Sequence, residues 1–488
     1  MNIQDSVNEI KNLTGNPSEL VTRNLIIGKE TSIEAVVIYI NGLADKNIID
    51  RDILTPLMIH ADEDFINIKN VDDYIFRKYI TVGNSNIETD INKAVEGIKR
   101  GKTVVITQSS SNFIVVDTTG GAYRAIQEPV NDVSLKGPRE GFVESLQINT
   151  SIMKRRIKDK NLVTEQFTLG VRSQTDLVIM YIDDVVDKEY LKKLREKINN
   201  INMDFVSENS LIEQCIEEHP YSIFPQVIGS ERPDVVEANL MEGRIAFLLD
   251  GTSNVTTYPT IFAEFFQTPE DYYGRSILAS FIRMIRIIAV FIVITVPAIY
   301  ITLIKFNSEM IPIEFIESLV SSRKGIALTP FISLVSMQFT IELLREGGLR
   351  LPGKIGQTLS VVGGIIIGDA ALKAKIVSST TLLVAGISTV ASFAISNYQM
   401  SLAVRSVAYP MLALANWLGM LGIVIGWFFI LSYLCSLENL GVPYLSFSKN
   451  DMKDIFIRAP ITKMDTRPDA IPNNNSMRQD NSRGGKNE

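Results

Sequence analysis

Three stretches of the sequence bring together residue types that could do chemistry. GLRLPGKI, Gly348 to Ile355, approaches the phosphate-cradling pattern G-x-x-x-x-G-K-[ST]. That pattern sets backbone N–H groups and a lysine on phosphate oxygens and a hydroxyl on magnesium. Ile355 occupies the hydroxyl position and no strand-like run leads into the loop, so phosphate binding is excluded. LLDGTSN, Leu248 to Asn254, sets Asp250 at the end of an apolar run, where an aspartyl nucleophile could stand. A strand passing into a turn accounts for the same residues more simply. His60 and His219 are isolated from each other and from any spacing of a metal site, so they are structural. Cys215 and Cys435 are the only cysteines and imply no disulfide framework. The sequence therefore predicts no catalytic residue, no metal and no cofactor.

The third stretch, Ile355 to Ala371, points to ion passage. On a helix of 3.6 residues per turn, Gln357, Ser360, Gly364, Gly368 and Ala371 share one side, a small and polar stripe in an apolar segment. Close helix packing also explains Gly364-x-x-x-Gly368, and it is the preferred explanation of Gly422-x-x-x-Gly426. Asp369 lies about 100° round the helix from Gly368. Repeated about an oligomer axis, it would favour cations at a pore mouth. Val362 and Gly364 are the positions where substitution should make such a pore leak or jam. Upstream, Glu342, Arg345, Glu346 and Arg350 are spaced for helix-surface ion pairs and suggest a lid or coupling element.

These residues must be positioned by the apolar part of the chain. Mean hydropathy is only +0.14, but the uncharged runs are concentrated after residue 286. Ile287–Ile304 has 18 uncharged residues, close to the roughly 20 that cross a bilayer as a helix. Gly325–Ile341 has 17 and contains Pro330; Ile355–Gly368 has 14; Ile376–Val404 has 29 and Ser406–Leu437 has 32. Arg275, Arg283 and Arg286 cluster before the first run, which places the N-terminal side in the cytoplasm. With the tail also inside, four spans are favoured over five, and residues 325–350 become interfacial or re-entrant.

Residues 1–286 carry a net charge of −11 against −7 for the whole chain. That acidity argues for a solvated region and against nucleic acid. The start, MNIQDSVNEIKNL, lacks the pattern of a secretory signal, so this region is expected in the cytoplasm. Strand-like runs alternate with helix-like ones, and two pairs of segments match at one offset. Tyr39 and Ile40 fall on Tyr181 and Ile182, Asp45 and Lys46 on Asp187 and Lys188, and Gly101 and Lys102 on Gly243 and Arg244, all 142 residues apart. This predicts two related α/β subdomains, residues 1–135 and 136–286, then an all-α multi-span membrane domain, 287–437, and a polar tail, 438–488, with a disordered end. The basic cluster Lys154, Arg155, Arg156 and Lys158 is expected on a solvated face.

GPREGFVESLQINTSIMKRR, YSIFPQVIGSERPDVV, TPEDYYGR, TIELLREGGLRLP and IGQTLSVVGGIIIGDAALKAKIVSS together resemble the A subunits of the GerA-type spore germinant receptors. The resemblance implies a complex in the spore inner membrane with a B-type, multi-span, transporter-like subunit and a C-type lipoprotein. It further implies that the B subunit senses nutrient and that A subunits form a homo-oligomeric ring, embedded in membrane lipid, whose helices conduct cations. On this sequence Ile355 to Ala371 becomes the pore helix, and the two subdomains become the assembly region. The alternatives are an A-like paralog accompanying the dipicolinic acid release channel and a non-conducting membrane scaffold.

Overall fold

The computed structural model describes residues 3–478 except 16, 29–31, 64, 66–67, 69, 109–111, 121–127, 130–131, 133–135, 352, 447, 449–450 and 456. The chain forms two compact units, Met1–Glu217 with Val227–Pro259 and Asp465–Glu488, and Glu218–Gln226 with Thr260–Met464.

The first unit holds a duplicated α/β fold. Repeat 1 runs α1 (Ile3–Thr14), β1 (Leu20–Ile27), β2 (Ile33–Ile40), α2 (Lys46–Ile49), α3 (Val71–Lys78), β3 (Ser85–Glu88), α4 (Ile91–Lys99), β4 (Thr103–Thr107) and β5 (Phe113–Val116). After α5 (Leu146–Arg156), repeat 2 runs β6 (Leu162–Leu169), β7 (Thr175–Ile182), α6 (Lys188–Asn199), α7 (Asn209–Ile216), β8 (Ile228–Ser230), α8 (Pro233–Met241), β9 (Ile245–Leu249) and β10 (Val255–Tyr258). Each repeat has an antiparallel five-stranded sheet, ordered β1-β2-β4-β5-β3 in one and β6-β7-β9-β10-β8 in the other.

The registers coincide at the offset of 142. Leu20 faces Ile40 and Leu162 faces Ile182; Ala35 faces Thr107 and Leu177 faces Leu249; Asn86 faces Val115 and Ile228 faces Thr257. A slip of one residue would turn each buried side chain to the opposite face, so one register is retained in both copies. The matched residues have local reasons. Asp45 and Asp187 are helix N-caps, accepting from Asn47 N at 2.8 Å and Tyr190 N at 2.7 Å. Gly101 and Gly243 take φ of +87° and +99°; a Cβ on Gly101 would lie 2.6 Å from Leu43 O. The copies differ after the first cap: α2 continues as π-helix over Asp50–Leu54 and Pro56–His60, whereas α6 is regular.

The basic cluster is divided: Lys158 is exposed, as expected, whereas Lys154, Arg155 and Arg156 meet carboxylates. Lys154 bonds Glu19 of repeat 1 at 2.8 Å, with its side chain 11% exposed. Arg156 bonds Glu237 of repeat 2 at 3.0 Å and Glu140 at 3.3 Å, and Ser151 donates to Gly42 O at 2.9 Å. Helix α5 thus joins the repeats through paired charges, which composition alone could not distinguish from surface charge. Asp250 accepts from Leu146 N at 3.1 Å, an anchoring bond at the start of α5. The start of the tail is also ordered: Asn474 N and Nδ2 donate to Val185 O and Val186 O at 2.8 Å each, and Ile471 is fully buried. Its apolar residue and its amides find partners on repeat 2, which overrides the composition. Residues 479–488 lie outside the described residues.

The second unit is helical: α9 (Pro269–Tyr273), α10 (Ser276–Lys305), α11 (Ile313–Arg323), α12 (Pro330–Leu349), α13 (Gly353–Lys373), α14 (Ser379–Phe393), α15 (Tyr398–Leu418), α16 (Met420–Ser436) and α17 (Met452–Ile455). Among the described residues, α10 is the one helix both long and apolar enough to cross a membrane by length and composition; α14 and α16 are shorter apolar helices. Helix α10 packs on α14, α15, α16 and α12. Pro330 starts α12 at its first turn, capped by Thr329, so it interrupts nothing. The uncharged run Ile376–Val404 is divided between α14 and α15, where Asn397 caps the new helix. The run Ser406–Leu437 breaks at Gly419, with φ of +63°.

Candidate functional site

Helix α12 places Glu342 and Arg345 on one side, one turn apart. Glu342 Oε1 lies 3.2 Å from Arg345 Nη1 and 2.8 Å from Arg405 Nε of α15. Arg345 Nη2 donates to Ser392 Oγ of α14 at 3.1 Å, and its guanidinium sits 4.9 Å from the Phe393 ring centre. Arg405 Nη1 donates to Ser401 Oγ at 2.8 Å. One carboxylate thereby joins three helices. Beside it is a cavity of about 30 Å³ lined by Val293, Gln338, Glu342, Arg345, Ser388 and Arg405, and Gln338 Oε1 has no partner there among the described residues. Charges in an apolar bundle persist when paired and mark positions that respond to their surroundings. Glu346 and Arg350, the other expected pair, meet at 2.7 Å on the exposed side of α12 and take no part in this cluster.

Arg405 and Gln338 were not among the residues expected from sequence. The signal was present, because Arg405 is the one charge between Ile376 and Leu437. A lone charge in so long an apolar stretch calls for a counter-ion; which acid supplies it depends on how the helices pack.

A second cluster surrounds the foot of α10. Asp271 completes a capping box with Thr268. It receives Arg283 Nε at 2.9 Å and Arg286 Nη1 at 2.8 Å. Arg283, 1% exposed, also reaches Asp454 Oδ1 at 2.8 Å. Arg458 donates to Gly274 O and Tyr272 O at 2.9 Å each, and Tyr272 donates to Asp454 Oδ2 at 2.7 Å. Arg283 and Arg286 are thus held by carboxylates inside the unit, whereas Arg275 is exposed. Of the arginines that suggested an orientation, Arg283 holds α17 to α10 and Arg286 holds the capped turn at Thr268 and Asp271.

Helix α13 lies against α12, where a Cβ on Gly363 would be 3.2 Å from Leu344. A Cβ on Gly364 would meet nothing within 4 Å, and one on Gly368 only Leu382 at 3.8 Å. Ile365 and Ile366 are exposed. Asp369 pairs with Lys373 at 2.6 Å on the exposed surface. Gln357, Ser360 and Val362 lie in α13, and their side chains fall outside the described residues.

Gly422 and Gly426 are in close contact with α15. A Cβ on Gly422 would stand 2.2 Å from Leu414 O, and one on Gly426 2.6 Å from Met411 Sδ. Methionine can swing away, whereas a backbone carbonyl cannot. Gly422→Ala should therefore lower the thermal unfolding midpoint of the detergent-purified chain by the equivalent of about 1–3 kcal/mol, and Gly426→Ala by less. Equal midpoints for the two variants would contradict this ranking.

These features define a class: a duplicated α/β unit joined in one chain to a bundle of apolar helices with internal ion pairs. Among the described residues, no three His, Cys, Asp or Glu side chains are grouped to hold a metal. The chain belongs to the GerA family: the model described as Bacillus/Clostridium GerA spore germination protein matches residues 8–470. Its role is accordingly in spore germination. It is 34% identical to spore germination protein KA of Bacillus subtilis (strain 168) over 478 residues, 97% of this chain and 87% of that one. It is 33% identical to the uncharacterized membrane protein YfkQ of the same organism over 483 residues, 98% and 93% of the two chains. Spore germination protein GerLA of Bacillus cereus is 28% identical over 480 residues, 97% of this chain and 96% of that one. The crystal structure of the N-terminal domain of the A subunit of the Bacillus megaterium spore germinant receptor GerK3 is similar with a TM-score of 0.43 and 30% identity, over 54% of this chain and 96% of that one.

Proposed function

We propose that this chain is the A subunit of a nutrient germinant receptor whose copies assemble into a ligand-gated cation channel in the spore inner membrane. A B-type transporter-like subunit senses the nutrient beside a C-type lipoprotein. Residues 287–437 form the membrane region with four spans, and the two α/β repeats form the assembly region, on the same side as the tail. Helix α13 carries this reading. Its 21 residues extend about 31 Å, matching a hydrocarbon core of about 30 Å. Its Gly364 position is open in the single chain, so a ring of copies can turn the Gln357, Ser360, Gly364 and Gly368 side toward a common axis. Asp369 then stands near one mouth of the pore.

The Glu342, Arg345 and Arg405 cluster supplies the coupling. A nutrient bound to another subunit opens the pore only if it favours the open arrangement over the closed one. Glu342 of α12 pairs with Arg405 of α15 and with Arg345, which reaches α14 through Ser392, so its carboxylate has two partners to choose between. In the proposed arrangement α12 carries that choice to α13, its neighbour.

Reconstitution of the full chain in liposomes tests the reading. Cation flux is expected from the unaltered protein. Asp369→Lys, which sets two lysines one turn apart, should abolish or reverse the cation preference. Unchanged selectivity would remove Asp369 from the pore, and a complete lack of flux, alone or with the B and C subunits, would favour a scaffold.

A further inference from the structure

The foot of α10 is built inside out. Between Arg275 and Lys305 the helix carries two charges, Arg283 and Arg286. Both turn inward, Arg283 to Asp271 and Asp454 and Arg286 to Asp271. Every exposed residue from Ile277 to Phe291 is apolar. On the first three turns these are Ile277, Leu278, Phe281, Ile282, Met284 and Ile285, with Ile277 84% exposed. They cover about 160° of the helix, and Ile288 and Phe291 continue the same side upward into the uncharged run. A helix that faces water has the opposite distribution, with charges outward and apolar side chains inward.

The segment after the last long helix repeats this pattern against the same turns. Arg458 N donates to Ser280 Oγ at 3.0 Å, and its guanidinium donates to the carbonyls of Gly274 and Tyr272. Asp454 holds Arg283, and Ile455 is buried. Met452, Ile457 and Ile461 are exposed, Ile457 by 64%. Polar groups of this segment close on α10 while apolar ones face outward. At the edge of the exposed apolar residues stand Tyr273 and Arg275 on one side and Lys463 on the other, all exposed.

Length decides what covers this surface. Helix α10 has 30 residues and so extends about 45 Å. A bilayer is about 40–45 Å thick with its headgroup regions, against about 30 Å for the hydrocarbon alone. A boundary at Ile287, where the uncharged run begins, would leave Ile277 about 15 Å below the hydrocarbon, with its apolar neighbours in water. A boundary at Arg275 sets exposed cations, Arg275 and Lys305, at the two surfaces and takes the apolar side out of water. Tyr273 then falls where interfacial aromatic residues stand.

We infer that the first three turns of α10 and residues 452–461 form a collar immersed in one leaflet of the bilayer, against lipid chains, with Arg275 and Lys463 on anionic headgroups. The inference rests on the proposed membrane region and extends it below residue 287 and beyond residue 437. The segment 452–461 lies in the interface without crossing it. The enclosed Arg283, Asp271 and Asp454 are then shielded from water, where their attraction is stronger.

The test uses the full chain with Cys215→Ser and Cys435→Ser, reconstituted in vesicles of phosphatidylglycerol and phosphatidylcholine. Single nitroxide labels are placed through Phe281→Cys, Ile457→Cys, Val424→Cys in α16 and Lys192→Cys in α6, all four positions being exposed. Collision with oxygen, which concentrates in lipid, is compared with collision with a water-soluble nickel chelate. The oxygen-to-nickel ratio at Phe281 and Ile457 should approach that at Val424 and be several times that at Lys192. A water-like ratio at Phe281 or Ile457 with a lipid-like one at Val424 overturns the collar and leaves the membrane region standing. A water-like ratio at Val424 as well overturns the membrane region itself. Low access to both reagents, with spin coupling between copies, would make this surface a contact between chains and also overturn the collar. Phosphatidylglycerol should raise the thermal unfolding midpoint over phosphatidylcholine alone, and Arg275→Gln with Lys463→Gln should abolish the difference. A difference that persists in that double variant overturns the headgroup contact.

Discussion

Replacing Asp271 with alanine should destabilise the helical unit by about 3–5 kcal/mol, the usual consequence of removing one partner from a buried ion pair. Asp271 is 3% exposed and receives Arg283 at 2.9 Å and Arg286 at 2.8 Å. Without it, Arg286 loses its carboxylate and Arg283 retains only Asp454, itself on a short helix. Burial raises the Asp271 carboxyl, but hydrogen bonds and charge from Arg286 and Arg283 outweigh it and hold the group below its ordinary range. A depressed acid contributes stability above its unfolded value and loses it as pH falls through the folded one, so acid should release this cluster only below about pH 3.8. The thermal unfolding midpoint of the purified chain, and its yield from membranes, measure the effect. Asp271→Asn should behave nearly as badly, since the shape remains and the charge is gone; an unchanged midpoint in either variant would show that the arginines find other partners.

Glu342→Ala is expected to have the second-largest effect, about 2–3 kcal/mol, lower because the Glu342 side chain is 30% exposed. Its removal leaves Arg345 and Arg405 facing one another across the cavity, at the junction of three helices. A double-mutant cycle with Arg405→Met separates the pair from the rest: if the two residues act together, the double variant should be less destabilised than the two single losses summed. On the proposed coupling role, Glu342→Gln should also slow the nutrient response of spores that contain the chain in normal amount. A normal response with normal amounts would leave the cluster a purely structural one.

Legibility varied with the kind of interaction. The duplication was visible from a few residues because caps and turns are local: Asp45 and Asp187 cap helices, and Gly101 and Gly243 occupy left-handed turns. Strand register follows from alternation once the turns are placed. Helix limits in the apolar half were less visible. An uncharged run does not reveal whether Asn397 or Gly419 ends one helix and begins another, since both tolerate either role. Long-range charge pairing was least visible. Lys154 with Glu19 and Arg405 with Glu342 are separated by most of a repeat or several helices, and nothing in the spacing selects the partner.

The sequence by itself determined that this chain has an acidic duplicated half and an apolar half, and its motifs determined the family. Both follow from short-range facts, composition and local backbone demands. Only the tertiary structure decided that Lys154 and Arg156 of α5 join the repeats, that Arg283 binds α17, that Arg286 is held by Asp271, and that Glu342 serves two arginines. The physical reason is common to all four: burial decides what a charge must find, and burial is a property of the packed chain.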